Sequence, residues 1–166
     1  ETAASLGLPA ARLLSTIERH NAFADDPMQV RGGWAMDISE LYAMAGVKPD
    51  DLDVVQTYDD YPVITMMQFE DLGFCNKGEG AAFVRQHDLT VDGDFPHNTS
   101  GGQLSAGQAG AAGAYLGLVE GLRQVLGEAG PTQVKDARLA LASGFGMINY
   151  DRGLASGAAI FAGPAR

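Results

Sequence analysis

HNTSGGQLSAGQAGAAGAYLGLVEGLRQ, residues 97–124, decides how the rest of the chain is read. Its first six residues, His97 to Gly102, are polar and end in paired glycines, the composition of a tight loop. From Leu104 onward the residues are small or apolar, and the pattern predicts one helix over 104–126. Each glycine costs a helix about 1 kcal/mol relative to alanine. Yet Gly107, Gly110, Gly113 and Gly117 recur every three or four residues and so share one face. A face without side chains lets another backbone or a ligand come close. Two readings stay open. The face is a packing surface, or the loop and helix start form a cradle whose free N–H groups hold a carbonyl oxygen or an anion.

Working outward, Leu52–Thr57 (LDVVQT) is short and β-branched, which predicts a buried strand. Tyr58, Asp59, Asp60 and Tyr61 follow it, before a helix predicted over 63–72. The junction of strand end and helix start is the usual address of active sites in α/β folds. Asp59 and Asp60 serve equally well as helix N-caps, so their role is open at this point. Further upstream, residues 1–8 read as the end of a helix, 11–18 as a strand and 20–30 as a surface loop. Trp34, Ile38, Leu41, Tyr42 and Ala45 fall at helical spacing over 33–45, with a stop at Gly46 and Pro49. Residues 78–86 predict a short helix, and Asp92-Gly93-Asp94 a turn into the organising loop. Downstream, 127–132 breaks the long helix, and Leu116, Val119, Leu122, Val125 and Leu126 are its expected core face. Strands are predicted over 137–142 and 155–161, joined by a loop that carries Tyr150. That tyrosine either projects into a site or faces solvent.

Composition narrows the function classes. The chain has 166 residues, 46% of them hydrophobic and 19% charged, the balance of a folded domain with a core. A net charge of −10, with scattered basic residues, disfavours nucleic acid and anionic membranes as partners. Cys75 is the single cysteine, so no internal disulfide forms and a reducing, cytoplasmic setting is expected. With no basic partner beside it, Cys75 reads as a small buried apolar residue. His20, His87 and His97 are isolated, and no metal-ligand spacing occurs. The chain starts at Glu1, which suggests a piece of a longer protein.

The string NTSGGQLSAGQAGAAG resembles a signature of the C-terminal half of thiolases: Asn, two glycines, a spacer, Gly-His-Pro and a small-residue helix. Asn98, Gly101, Gly102, Gly107, Gly110, Ala111 and Gly113 fit it. Gln108 stands at the catalytic histidine and Ala109 at the proline. DLDVVQTYDDYP, with QFEDLGFCNKGEG after it, resembles the branch that includes the sterol-carrier-protein thiolases. Tyr58 occupies the histidine position of that branch, where other thiolases carry Asn, and Cys75 falls at a structural cysteine. The last two strands resemble the family's closing hairpin. Its connection carries a catalytic Cys-x-Gly in thiolases; here Ser143-Gly144 lies about there, and no cysteine is present.

The resemblance implies an α/β fold, the C-terminal half of a thiolase, with a five-stranded mixed sheet and helices on both faces. Residues 1–166 would form that one domain, its N-terminal half belonging to a missing part of the chain. The implied chemistry makes or breaks a carbon–carbon bond beside an acyl-CoA carbonyl, as a thiolase-like acyltransferase or a steroid side-chain retro-aldolase, in lipid or sterol metabolism. The retro-aldolase branch uses tyrosine where thiolases use His or Asn, and works with an acyl-CoA-binding partner protein. Tyr58, Gln108, Tyr150 and Ser143 are then the catalytic candidates, and Asp59, His97, Asn98, Gly101 and Gly102 the substrate-binding ones. Gln108 can donate an N–H to an oxyanion but cannot act as a base; Tyr58 can donate a hydrogen bond and, with a lowered pKa, act as acid or base. No cofactor or metal is expected beyond coenzyme A thioester as substrate, and a homodimer is. Two other readings are a catalytically silent thiolase-like subunit that binds acyl-CoA or scaffolds a partner, and an unrelated small-molecule-binding α/β domain.

Overall fold

The structure, a computed structural model, describes residues 38–108, 113, 115–149 and 152–164. Expectations for residues 1–37, Ala109, Gly110, Ala111 and Tyr150 lie outside the described residues. Met36–Gly146 with Ala155–Arg166 form one compact unit, and Glu1–Ala35 with Met147–Leu154 a second. The account below concerns the first.

Helix α1 spans Ile38–Ala45 and stops where expected, at Gly46 with φ 69°. A 3-10 turn at Pro49–Asp51 leads into strand β1, Val54–Gln56. Helix α2 is Pro62–Asp71, with its proline in the first turn where no N–H is needed. Helix α3 is Gly80–Gln86 and α4 Gly102–Ala106. Helix α5 is Tyr115–Leu126, followed by a 3-10 turn at Gly130–Thr132. Strands β2, Leu139–Asn149, and β3, Arg152–Ala162, close the described chain.

The three strands form one sheet in the order β1-β2-β3. β1 and β2 run parallel, with Val54 opposite Ala140, Val55 opposite Leu141 and Gln56 opposite Ala142. The two-residue link from β2 to β3 permits only an antiparallel pair, so the sheet is mixed. On the other side of β1, Val55 donates to the Pro96 carbonyl and accepts from Asn98, which seats His97 beside the strand. All three β1 residues are buried because both faces are covered. Val54 packs with Val125 of α5, Val134, Ala137 and Ala140. Val55 points the opposite way, to Tyr42 of α1, Leu72 and Leu141.

Three strands stand among the described residues where five were expected. The helix predicted over 104–126 is two helices. α4 ends at Gly107, whose φ of 99° and ψ of 158° are outside any helix, and α5 resumes at Tyr115. Of the expected core face of α5, Val125 is buried and Leu116 half-buried, while the other three residues face out. Tyr115, Val119, Leu122 and Leu126 are exposed, whereas Glu120, Gly121, Gln124 and Val125 are buried. The glycines explain it. A Cβ on Gly117 would meet Gln56 Cβ at 3.2 Å, and one on Gly121 would meet Ala140 Cβ at 3.6 Å. The bare face therefore presses on the sheet and the large side chains are left outside.

Candidate active site

β1 ends at Gln56, and each of the next three residues is held by a group from another segment. Thr57 donates its N–H to Asn98 Oδ1 (2.9 Å) and accepts from Asn98 Nδ2 at its carbonyl (3.1 Å). Tyr58 is held in the same manner by a second amide, donating to Gln68 Oε1 (3.1 Å) and accepting from Gln68 Nε2 (2.6 Å). Backbone groups that leave a ladder inside the protein need such partners, and an amide side chain supplies a donor and an acceptor together. Asp59 turns inward, and its Oδ1 accepts the N–H of Gln103 in the first turn of α4 (2.7 Å). It does not cap α2, whose N-cap is Tyr61 without a side-chain bond.

The loop that meets these residues depends on unusual backbone angles. Asn98 has φ 44°, Gly101 φ 93° and Gly102 φ 62°, all left-handed. A Cβ on Gly102 would overlap Asp59 Oδ2 and lie 2.9 Å from Asn98 Nδ2. Here the pair of glycines is required by close approach as well as by the turn. Beyond Gly107, Gln108 reaches back, and its Nε2 donates to the Tyr58 hydroxyl oxygen at 2.9 Å, across fifty residues of chain.

Burial, then the Asp60 carboxylate, raise the Tyr58 pKa above its ordinary value, and the Gln108 amide pulls it down. The net rise means that Tyr58 keeps its proton at neutral pH and is not a base there. The lowered value that a tyrosine base needs is not present. His97 shares a 2.8 Å hydrogen bond with Thr57 Oγ1, and its ring stands edge-on to Phe69 at 4.9 Å. Burial lowers its pKa to about 4, so it is neutral and structural in this setting. Burial, with Glu70 and Glu79 nearby, raises the Cys75 pKa, as an inert thiol requires. Among the described residues no three His, Cys, Asp or Glu side chains could share a metal ion, and no helix is long and apolar enough to cross a membrane.

Residues 17–155 match the thiolase C-terminal domain-like family. The chain belongs to that family. It is 41% identical over 88 residues to 17-hydroxy-3-oxo-4-pregnene-20-carboxyl-CoA lyase of Mycobacterium tuberculosis, covering 53% of this chain and 22% of the lyase. It is 35% identical over 108 residues to human (Homo sapiens) sterol carrier protein 2, covering 65% of this chain and 20% of that protein. Among solved structures, an Ltp2-ChsH2(DUF35) aldolase superposes with a TM-score of 0.57 at 34% identity, over 64% of this chain and 27% of its own. The match thus spans about a fifth of the length of these curated relatives. The resemblance to the sterol-carrier-protein and steroid side-chain aldolase branch holds.

Within this thiolase-like half, the structure brings Tyr58, Asp59, His97, Asn98, Gly101, Gly102 and Gln108 together around the end of β1. Ser143 also lies beside the end of β1, its Oγ 3.5 Å from the Gln56 carbonyl oxygen. It sits within β2, not in the hairpin connection, because that strand continues to Asn149. It is buried, and its hydroxyl donates to Gln68 Oε1 at 2.8 Å. Gln68, which holds both Tyr58 and Ser143, escaped the sequence reading. A signal existed: it lies between Ile64 and Leu72 at four-residue steps, a polar residue on an inward helix stripe.

The His97 environment carries a pH dependence. Unfolded, His97 binds its proton near pH 6.5; folded, it does so only at about 4. Between those values the unfolded chain holds more protons, so this contribution to stability is complete above pH 6.5 and is lost as pH falls toward 4. The expected loss is about 3 kcal/mol at most, at 1.36 kcal/mol per pH unit. Urea unfolding at pH 4.5 and 7 should show a smaller difference in His97→Gln than in the native protein. Equal differences would contradict it.

Proposed function

We propose that the chain is the C-terminal part of a thiolase-like enzyme acting on an acyl-CoA thioester in lipid or sterol metabolism, and that its reaction is carbon–carbon cleavage of the retro-aldol kind. The observation that carries this reading is the Tyr58 hydroxyl, held by Gln108 at the end of β1 beside the Asn98–Gly102 loop. In such a cleavage the electron pair of the breaking bond moves onto the thioester oxygen. A fixed donor aimed at that oxygen lowers the barrier. A tyrosine that stays protonated at neutral pH suits the task, and the thiolase histidine is replaced by Gln108, which cannot move a proton. The named activities of the lyase and the aldolase among its relatives agree with this direction. The proton acceptor for the substrate hydroxyl is assigned to none of the described side chains; the N-terminal half would supply it.

The N-terminal half is part of the proposal. Tyr115, Val119, Leu122 and Leu126 form an exposed apolar stripe along α5 at helical spacing. Its natural cover is the remainder of the thiolase-like protein, since the relatives are four to five times longer than the matched segment. A homodimer and an acyl-CoA-binding partner complete the proposed assembly.

Tyr58→Phe in the complete enzyme tests the reading. Loss of one preorganised donor should lower kcat about a hundredfold, with the fold intact by circular dichroism. Turnover equal to the native enzyme would remove Tyr58 from the chemistry. If the native assembly binds acyl-CoA but turns nothing over, the silent-subunit reading stands instead. The commitment of the Ser143 hydroxyl to Gln68 favours that second reading.

A further inference from the structure

We infer that Thr99 is a positioning residue for the candidate active site, its hydroxyl tying the site loop to β1 and α5 and so fixing where Tyr58 stands. This rests on the proposed role of Tyr58 at the reacting thioester.

The Thr99 hydroxyl is used to capacity. Its proton goes to Glu120 Oε1 at 2.7 Å, and its oxygen accepts from Gln124 Nε2 at 2.9 Å and Gln56 Nε2 at 3.2 Å. A hydroxyl offers one donor and two acceptor sites, and all three are filled. Glu120 and Gln124 belong to α5 and Gln56 ends β1, and all three side chains are buried. Through this one oxygen the loop is joined to a helix and a strand at once.

What the loop holds is the surroundings of Tyr58. Asn98, next to Thr99, takes the Thr57 N–H and carbonyl with its amide. Beyond the paired glycines, the Gln103 N–H is taken by Asp59. The segment 98–103 therefore grips residues 56, 57 and 59, with Tyr58 between them. Asn98 stands at φ 44°, a left-handed backbone that a residue with a Cβ keeps only when its surroundings hold it. The Thr99 anchor, one residue away, supplies that hold. Without it Asn98 relaxes toward an ordinary backbone, its amide leaves Thr57, and Tyr58 shifts with the strand end. A displacement of about 1 Å at a reacting group costs up to about a hundredfold in rate.

If the network served only to keep α5 on the sheet, its loss would lower stability and leave the folded enzyme's chemistry alone. Substitutions in the complete enzyme separate the two roles. Thr99→Val keeps the shape and removes the hydroxyl, and should lower kcat per folded enzyme about tenfold with KM little changed. Thr99→Ser keeps the hydroxyl and should stay within about twofold of the native kcat. Thr99→Cys, whose thiol bonds only weakly, should fall between the two, and carries the test if the valine variant does not fold. Val125→Ala opens a cavity in the core on the same helix and should lower the melting temperature while leaving kcat within about twofold. Combined with Tyr58→Phe, Thr99→Val should lower kcat no further, because it acts through Tyr58. A native kcat in Thr99→Val, or in Thr99→Cys should that variant stand in for it, would overturn the inference. So would an equal fall in Val125→Ala, or a fall that persists in the Tyr58→Phe background. If Tyr58→Phe alone is severe, each of these results leaves the proposed function standing. If Tyr58→Phe itself is silent, the functional reading fails and this inference with it.

Discussion

Gly102→Ala should be the most damaging small substitution in the site, costing about 4 kcal/mol or more. The new methyl would overlap Asp59 Oδ2, come within 2.6 Å of Asp59 Cγ and lie 2.9 Å from Asn98 Nδ2. Neither neighbour can retreat without breaking bonds. Asp59 is buried and holds the Gln103 N–H, and the Asn98 amide is committed at both ends to Thr57. The left-handed backbone adds about 1–2 kcal/mol for a residue with a Cβ, and each buried group that loses its partner adds about 1–3 kcal/mol. For a chain of this size the melting temperature should fall by roughly 10 °C. Gly46→Ala supplies the control. Its φ of 69° is equally left-handed, but nothing lies within 4 Å of the added methyl. If thermal unfolding places the two alanine variants level, the close approach of Asp59 to Gly102 contributes nothing. The same loss should extend to activity in the complete enzyme, because the residue displaced first is the neighbour of Tyr58.

Gln124→Leu should cost about 4 kcal/mol although the two side chains are similar in size. Gln124 is fully buried on the inward face of α5. Its Nε2 donates to Thr132 O (2.6 Å), Thr99 Oγ1 (2.9 Å) and Glu120 Oε1 (3.0 Å). Its Oε1 accepts from Val134 N–H (2.8 Å) and Gln133 Nε2 (3.1 Å). Leucine satisfies none of these, and groups left buried without partners each cost about 1–3 kcal/mol. The buried Glu120 carboxylate would keep only Thr99 (2.7 Å) and Arg123 (3.0 Å). Arg123→Ala is the comparison, since Arg123 is substantially exposed and its pair with Glu120 should be worth about 1 kcal/mol or less. Denaturant unfolding that finds Gln124→Leu no worse than Arg123→Ala would show the network to be dispensable. Thr99 links this network to the site, because it also accepts from Gln56 at 3.2 Å and belongs to the His97–Gly102 loop. The loop is therefore supported from beneath by α5 and gripped from the side by residues 57–59.

Several of these features were legible beforehand. The stop of α1 at Gly46, the short buried strand before Tyr58, and the tight loop ending in Gly101 and Gly102 all follow from local backbone preferences. The order of motifs also carried the family. The helix pattern over 104–126 misled, because small residues at helical spacing describe equally a continuous helix and two helices separated by a glycine turn. The core face of α5 misled for a related reason. Periodicity assigns large apolar residues to the inside, but Gly117 and Gly121 let the sheet approach the bare face instead. The resemblance to the family's closing hairpin puts Ser143 at its connection, yet pairing within the sheet carries β2 on to Asn149.

By itself the sequence determined some local conformations: the paired glycines of the tight loop, the strand apolar enough to be buried, and the stop of α1 at Gly46. It also determined the family, through residues whose spacing is unchanged by folding. Only the tertiary structure decided partners. Tyr58 could meet Gln108, Asp59 could clamp α4 rather than cap α2, and Gln68 could tie Tyr58 to Ser143 only after β1 was enclosed between β2 and the His97 segment. The physical reason is that a hydrogen bond needs atoms about 3 Å apart, and for groups from ten to seventy-five residues apart that distance is set by how the layers pack, which no local pattern records.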